Sequence, residues 1–113
     1  MKLIRIEDLS GVLPAGHHNL LSRRIAEASI GAKAMGVSLV CMEPNAGADP
    51  HIHEKAEQLF IVLKGEMVVK TAQAEVRLKQ GEAVFIYPGE VHENHNIAEG
   101  ETEYIVVTSS LTP

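Results

Sequence analysis

Histidines at positions 51 and 53, joined by a third at 92, are the residues of this chain best equipped for chemistry. In the extended run His51-Ile52-His53 both rings fall on one side, because side chains alternate along a strand. His92 comes just after the turn Tyr87-Pro88-Gly89-Glu90. Three imidazoles and one amide or carboxylate oxygen, gathered from separate strands, would make an open site for a divalent transition-metal ion. With an amide as the oxygen donor, all four donors are neutral and leave the ion's charge uncompensated, so such a site attracts anionic oxygens, polarises a carbonyl or acidifies bound water. The ligand is then a small oxygen-rich acid or hydroxy-carbonyl compound. A donor set of this kind does not choose among zinc, iron, nickel, manganese and copper.

The elements that would carry these residues read as strands. Residues 1–19 alternate apolar and charged positions and then break at Gly11, Pro14 and Gly16, giving an N-terminal arm or edge strand and a loop. His17 and His18 in that loop read as a solvated pair, since adjacent side chains diverge. Leu20, Ile25 and Ile30 miss the helical period, so 20–30 reads as a strand, with Arg24 either inward or exposed. Met35 to Met42 is an apolar strand that Pro44 should close, with Cys41 packed in the core. Leu59–Leu63 and Met67–Lys70 form a hairpin across Lys64-Gly65-Glu66. Ala74, Val76 and Leu78 alternate with charges, and strands follow at 83–87, 91–97 and 103–109. Pro88 and Gly89 suit the second and third places of a type II turn. About eight to ten short strands with glycine and proline turns predict an all-β sandwich or small barrel.

With 113 residues the chain is one domain, able to bury about two-thirds of its unfolded surface. A net charge of −5, with no basic run beyond Arg23-Arg24, argues against nucleic acid and anionic membrane surfaces as partners. Cys41 is the only cysteine, so no internal disulfide is expected. The charged start Met1-Lys2-Leu3-Ile4-Arg5 does not read as a signal peptide, and the expectation is a cytoplasmic protein. Apolar runs such as Leu59–Leu63 look buried on both faces, which in so short a chain predicts a homodimer.

Residues 45–96 resemble the cupin superfamily, in its small single-domain form. The first cupin motif runs glycine, five residues, His-x-His, a Glu after three or four residues, and glycine six residues later. Here Asn45 takes the first glycine place, His51 and His53 follow, Gln58 takes the Glu place and Gly65 closes the motif, over 45–65. The second motif is matched over 81–96 by Gly81, Tyr87-Pro88-Gly89, His92 and Asn96, with Tyr87 replacing a proline. The resemblance implies a double-stranded β-helix barrel, often dimeric, with a metal at its mouth held by His51, His53, Gln58 and His92. Glu57 competes with Gln58 for the fourth place, and the count to Gly65 favours Gln58. The motif asparagine, Asn96, more often supports backbone than touches metal, and His95 faces away from His92.

Catalysis needs a proton donor or acceptor near the ligand. On the closing strand Val106 stands where related lyases and decarboxylating cupins want a carboxylate, which leaves Tyr104 as the candidate catalytic residue. Glu54 and Lys55 lie where they could rim the mouth. Two readings stay open: a metal-dependent lyase, isomerase or oxygenase, and a metal-bearing binding or sensing module without turnover.

Overall fold

The computed structural model describes residues 1–109 and Leu111. Strands β1 (His17–Ala26), β2 (Gly36–His51), β3 (Glu57–Lys64), β4 (Glu66–Thr71), β5 (Glu75–Lys79), β6 (Ala83–Ile86), β7 (His92–Asn96) and β8 (Thr102–Ser109) form one continuous antiparallel system. Its order is β5-β4-β7-β2-β8-β3-β6, with β1 on the flank of β2. The only helical segments among the described residues are two single 3-10 turns, Ile6–Asp8 and Ala28–Ile30. This is the nearly closed all-β barrel that the turn spacing predicts.

β2 is the hinge of the barrel. Met35 to Met42 reads as a strand that Pro44 should end, yet the strand runs on to His51. Its first half pairs with β8 (Met42 opposite Thr102), and its second half pairs with β7 (Gly47 opposite His95). Pro44 falls between these two ladders, where its missing N–H breaks no pairing. Asn45 turns the corner at φ 66°, a region that asparagine tolerates better than other non-glycine residues. That explains its presence at a motif glycine. Gly47 is required by crowding: a Cβ there would sit 2.6 Å from the Asn94 carbonyl oxygen and 2.6 Å from His95 Nδ1.

Asn96 fastens this corner. Its Nδ2 donates to the carbonyls of Glu43 and Gly100, both at 3.0 Å, while Oδ1 accepts from Ala98 N–H and the Thr102 hydroxyl. Thus β2, β8 and the turn before β8 share one buried amide. The backbone-supporting role expected for this residue is what the structure displays.

Alternate residues of each strand point into the barrel. Leu20, Val40, Met42, Phe60, Val62, Met67, Val69, Leu78, Ile86 and Tyr104 form the core. Burying each large apolar side chain contributes about 1.5–3 kcal/mol. On the other face of the β2-β8-β3 sheet, Val37, Leu39, Leu59, Ile61, Ile105 and Val107 remain half-buried, and Phe85 on β6 is exposed. Cys41 also lies on that outer face, half-buried beside Glu103 and Arg23, and not in the core. The reason is parity: Val40 and Met42 take the inward places on either side of it.

Candidate metal centre

The ends of β2 and β7 bring His51 and His92 opposite each other as ladder partners. His53, two residues on, folds over the same point, since the Gly89 amide donates to its carbonyl at 2.9 Å. The turn at Pro88-Gly89 therefore ties the first motif to the second; Gly89 has φ 80°, as a type II turn demands at its third place. Ring centroids of His51 lie 4.3 Å from His92 and 5.0 Å from His53. One nitrogen from each of the three rings falls within 4.8 Å of the others, so the trio could hold a metal ion.

The rings are oriented by their other nitrogens. His51 Nδ1 lies 2.7 Å from the Asp49 carbonyl and His92 Nδ1 lies 2.9 Å from that of Glu90. A carbonyl only accepts, so in the neutral ring the proton sits on Nδ1 and Nε2 keeps a free lone pair, as metal-binding histidines require. Burial pushes the His53 imidazole below its ordinary range, helped by the neighbouring His51 and His92. Burial does the same to His92, against a weaker opposite pull from the Glu90 carbonyl. Both are held in the neutral, donor-competent form.

Gln58 and Glu57 part as strand neighbours must. Gln58 is buried and lines the cavity beside His51 and His53, whereas Glu57 is exposed. Gln58 Nε2 donates to Thr108 Oγ1 at 3.1 Å, which fixes the amide. Its Oε1 is left with no partner, and so is His92 Nε2. Among the described residues these are the only two buried side-chain polar atoms without one. Each such atom costs about 1–3 kcal/mol of desolvation unless something satisfies it. An ion that takes three imidazoles and an amide oxygen would satisfy both, so the residues present fit a divalent metal.

His51, His53 and Gln58 line a cavity of about 510 Å³, a size that suits a small organic ligand. Leu20, Val40, Phe60 and Val106 make its apolar wall, and Asn94, Tyr104, Ser22 and Ser38 supply polar groups. Arg24 also lines it, on the same face of β1 as Ser22, and is the only lysine or arginine among the described lining residues. Tyr104 Oη accepts from Asn94 Nδ2 at 3.1 Å, and burial pushes the phenol up to about 12. Glu54 and Lys55 are exposed and do not line the cavity, and His95 turns away to pair with Glu93 at 3.1 Å.

One residue at the site escapes the sequence reading. His18 is exposed as expected, but His17 is half-buried, lines the cavity and stands 5.9 Å from His51 between ring centroids. The preceding Pro14-Ala15-Gly16 was the available signal, a turn that aims the first residue after it.

A family model described as Cupin domain matches residues 38–108. The tetracenomycin polyketide synthase protein TcmJ of Streptomyces glaucescens is 24% identical over 93% of this chain and 71% of its own length. The oxalate oxidase GF-3.8 of Triticum aestivum is 32% identical over 74% of this chain, but over only 42% of its own length. Among solved structures, the polyketide cyclase RemF from Streptomyces resistomycificus superposes with a TM-score of 0.85 at 26% identity, covering 96% of this chain and 79% of that one. A predicted oxalate decarboxylase from Thermotoga maritima reaches the same TM-score at 19% identity, over 97% of this chain and 100% of that one, a likeness of fold.

Proposed function

Since the chain belongs to the Cupin domain family, we propose that it holds one divalent transition-metal ion through His51, His53, Gln58 and His92. There it binds or acts on a small oxygen-rich organic acid or hydroxy-carbonyl compound. The observation that carries this reading is the pair of stranded buried atoms, Gln58 Oε1 and His92 Nε2, beside a convergent histidine trio. When bound, the ion supplies Lewis acidity toward an oxygen ligand.

The chain's own residues do the rest. The apolar wall around Phe60 and Val106 excludes water, and Arg24 offers a carboxylate an opposite charge. Tyr104 stays protonated at neutral pH, so it serves as a hydrogen-bond or proton donor and not as a base. Because its oxygen already accepts from Asn94, its own O–H is free to point at a ligand. Oxalate, in the name of the wheat relative, is a small acid of this class.

A second reading, binding without turnover, draws on the cavity's acids. Among the described residues the lining carboxylates are Glu27, half-buried, and Asp49, exposed, while Val106 occupies the inward place on β8. We also propose a homodimer, supported by the apolar outer face of the β2-β8-β3 sheet, and a cytoplasmic setting, supported by the unpaired Cys41.

Elemental analysis of protein purified without added metal or chelator tests the centre. About one transition-metal ion per chain is expected. Absence of any ion, even after incubation with cobalt or nickel, overturns the reading. Turnover of candidate acids that disappears in His53→Ala separates the enzyme from the binding module.

A further inference from the structure

His17 stands beside the histidine trio without joining it. Pro14-Ala15-Gly16-His17 forms a turn closed by the His17 amide on the Pro14 carbonyl at 3.3 Å, with Gly16 at φ 72°. The Asp49 amide donates to the Gly16 carbonyl at 2.8 Å, which ties this turn to β2 just ahead of His51. The ring is therefore held in place at both ends of its support. His17 Nδ1 lies 2.8 Å from the Ala15 carbonyl, the same arrangement that His51 makes with Asp49 and His92 with Glu90. In the neutral ring Nδ1 thus carries the proton and Nε2 presents a lone pair. Yet the cluster of mutually close donor nitrogens comprises His51, His53 and His92 alone among the described residues.

A lone pair at that place discriminates among oxygen ligands. A carboxylate oxygen has no proton to offer and would set lone pair against lone pair. A hydroxyl can donate to it. We propose that His17 is a positioning residue that favours ligands carrying a hydroxyl beside a carboxylate or carbonyl (α-hydroxy acids and α-hydroxy ketones) over fully ionised dicarboxylates. This rests on the metal reading above and narrows its ligand class.

Glycolate and oxalate make a matched pair of probes, since one replaces a carboxylate of the other by a hydroxymethyl group. Wild type, His17→Ala, His17→Asn and the control His18→Ala are loaded with cobalt(II), and ion content and the visible absorption spectrum are recorded. Each acid is then titrated by calorimetry. All four proteins are expected to hold one ion with the same spectrum before acid is added. His17→Ala should lose about 3- to 10-fold in glycolate affinity, the range of one hydrogen bond, with oxalate unchanged or tighter. His17→Asn, whose amide oxygen can accept, should recover part of the loss, and His18→Ala should match wild type.

Glycolate binding within twofold of wild type in His17→Ala overturns the proposal. So does an equal loss for both acids, which would mean a structural role, or a tenfold fall in cobalt affinity, which would make His17 a ligand. A wild type that takes up no cobalt refutes the metal reading itself and this proposal with it.

Discussion

Replacing Gln58 with leucine separates the cost of the stranded amide from its use. In the metal-free protein the change removes two things: the Oε1 atom that has no partner and the hydrogen bond from Nε2 to Thr108. The first is worth about 1–3 kcal/mol in relieved desolvation, the second about 1 kcal/mol lost, and Thr108, only half-buried, can turn to water. The metal-free variant should therefore be as stable as wild type or up to about 2 kcal/mol more so. For a chain of this size that is a rise in Tm of up to about 10 °C. Metal must show the reverse. In wild type an ion present at a hundred times its Kd stabilises by about 2.7 kcal/mol. Losing the amide oxygen should weaken the ion at least tenfold, which removes about 1.4 kcal/mol of that gain at the same metal concentration. Thermal melts with and without nickel, read against urea unfolding, give both quantities. A metal-free variant destabilised by more than about 2 kcal/mol, with the nickel-induced shift intact, would refute the assignment of Gln58 as a donor.

Three other perturbations follow from the geometry. Because the His53 and His92 imidazoles are held below 6.5, the unfolded chain binds more protons than the metal-free fold as pH drops under that value. Stability of the metal-free fold should decline from about pH 6.5 to the lowered folded values and then level off, while bound metal is released across the same interval; flat melts from pH 7 to 5 would contradict it. Gly65→Ala should destabilise by well over 1 kcal/mol, since φ is 83° and the new Cβ would collide with Thr102 Oγ1 and sit 2.7 Å from the Glu101 carbonyl oxygen; chemical denaturation checks this. Ile105→Glu, in the middle of the apolar outer face, should convert a dimer to a monomer in light scattering without altering the ion content, whereas a wild type that is already monomeric removes the dimer proposal.

Much of this was legible because strands obey a two-residue period. Phe60 and Val62 point in, Leu59 and Ile61 point out, and the same rule places Gln58 inside and Glu57 outside. Pro88-Gly89 announces its turn through backbone preferences that no tertiary contact has to impose. What the pattern conceals is set by partners distant in the chain. Pro44 looks like a strand end because nothing local says that the pairing strand changes from β8 to β7 at that point. His17 looks solvated because its burial comes from a turn hydrogen-bonded to Asp49 across the barrel mouth. Cys41 looks like core because apolar neighbours on both sides hide which parity is inward.

The crossing of β2 from one ladder to the other has a bearing on the order of events during folding. Its first half pairs with β8 (Ser38 against Val106) and its second half seats His51 opposite His92, so both ladders join residues that lie far apart in the chain. Pairings of such long sequence separation make β barrels slow to close. An ion arriving early would meet only scattered imidazoles on an open chain, so the proposed ion would be captured after closure and would lock a finished barrel instead of nucleating one.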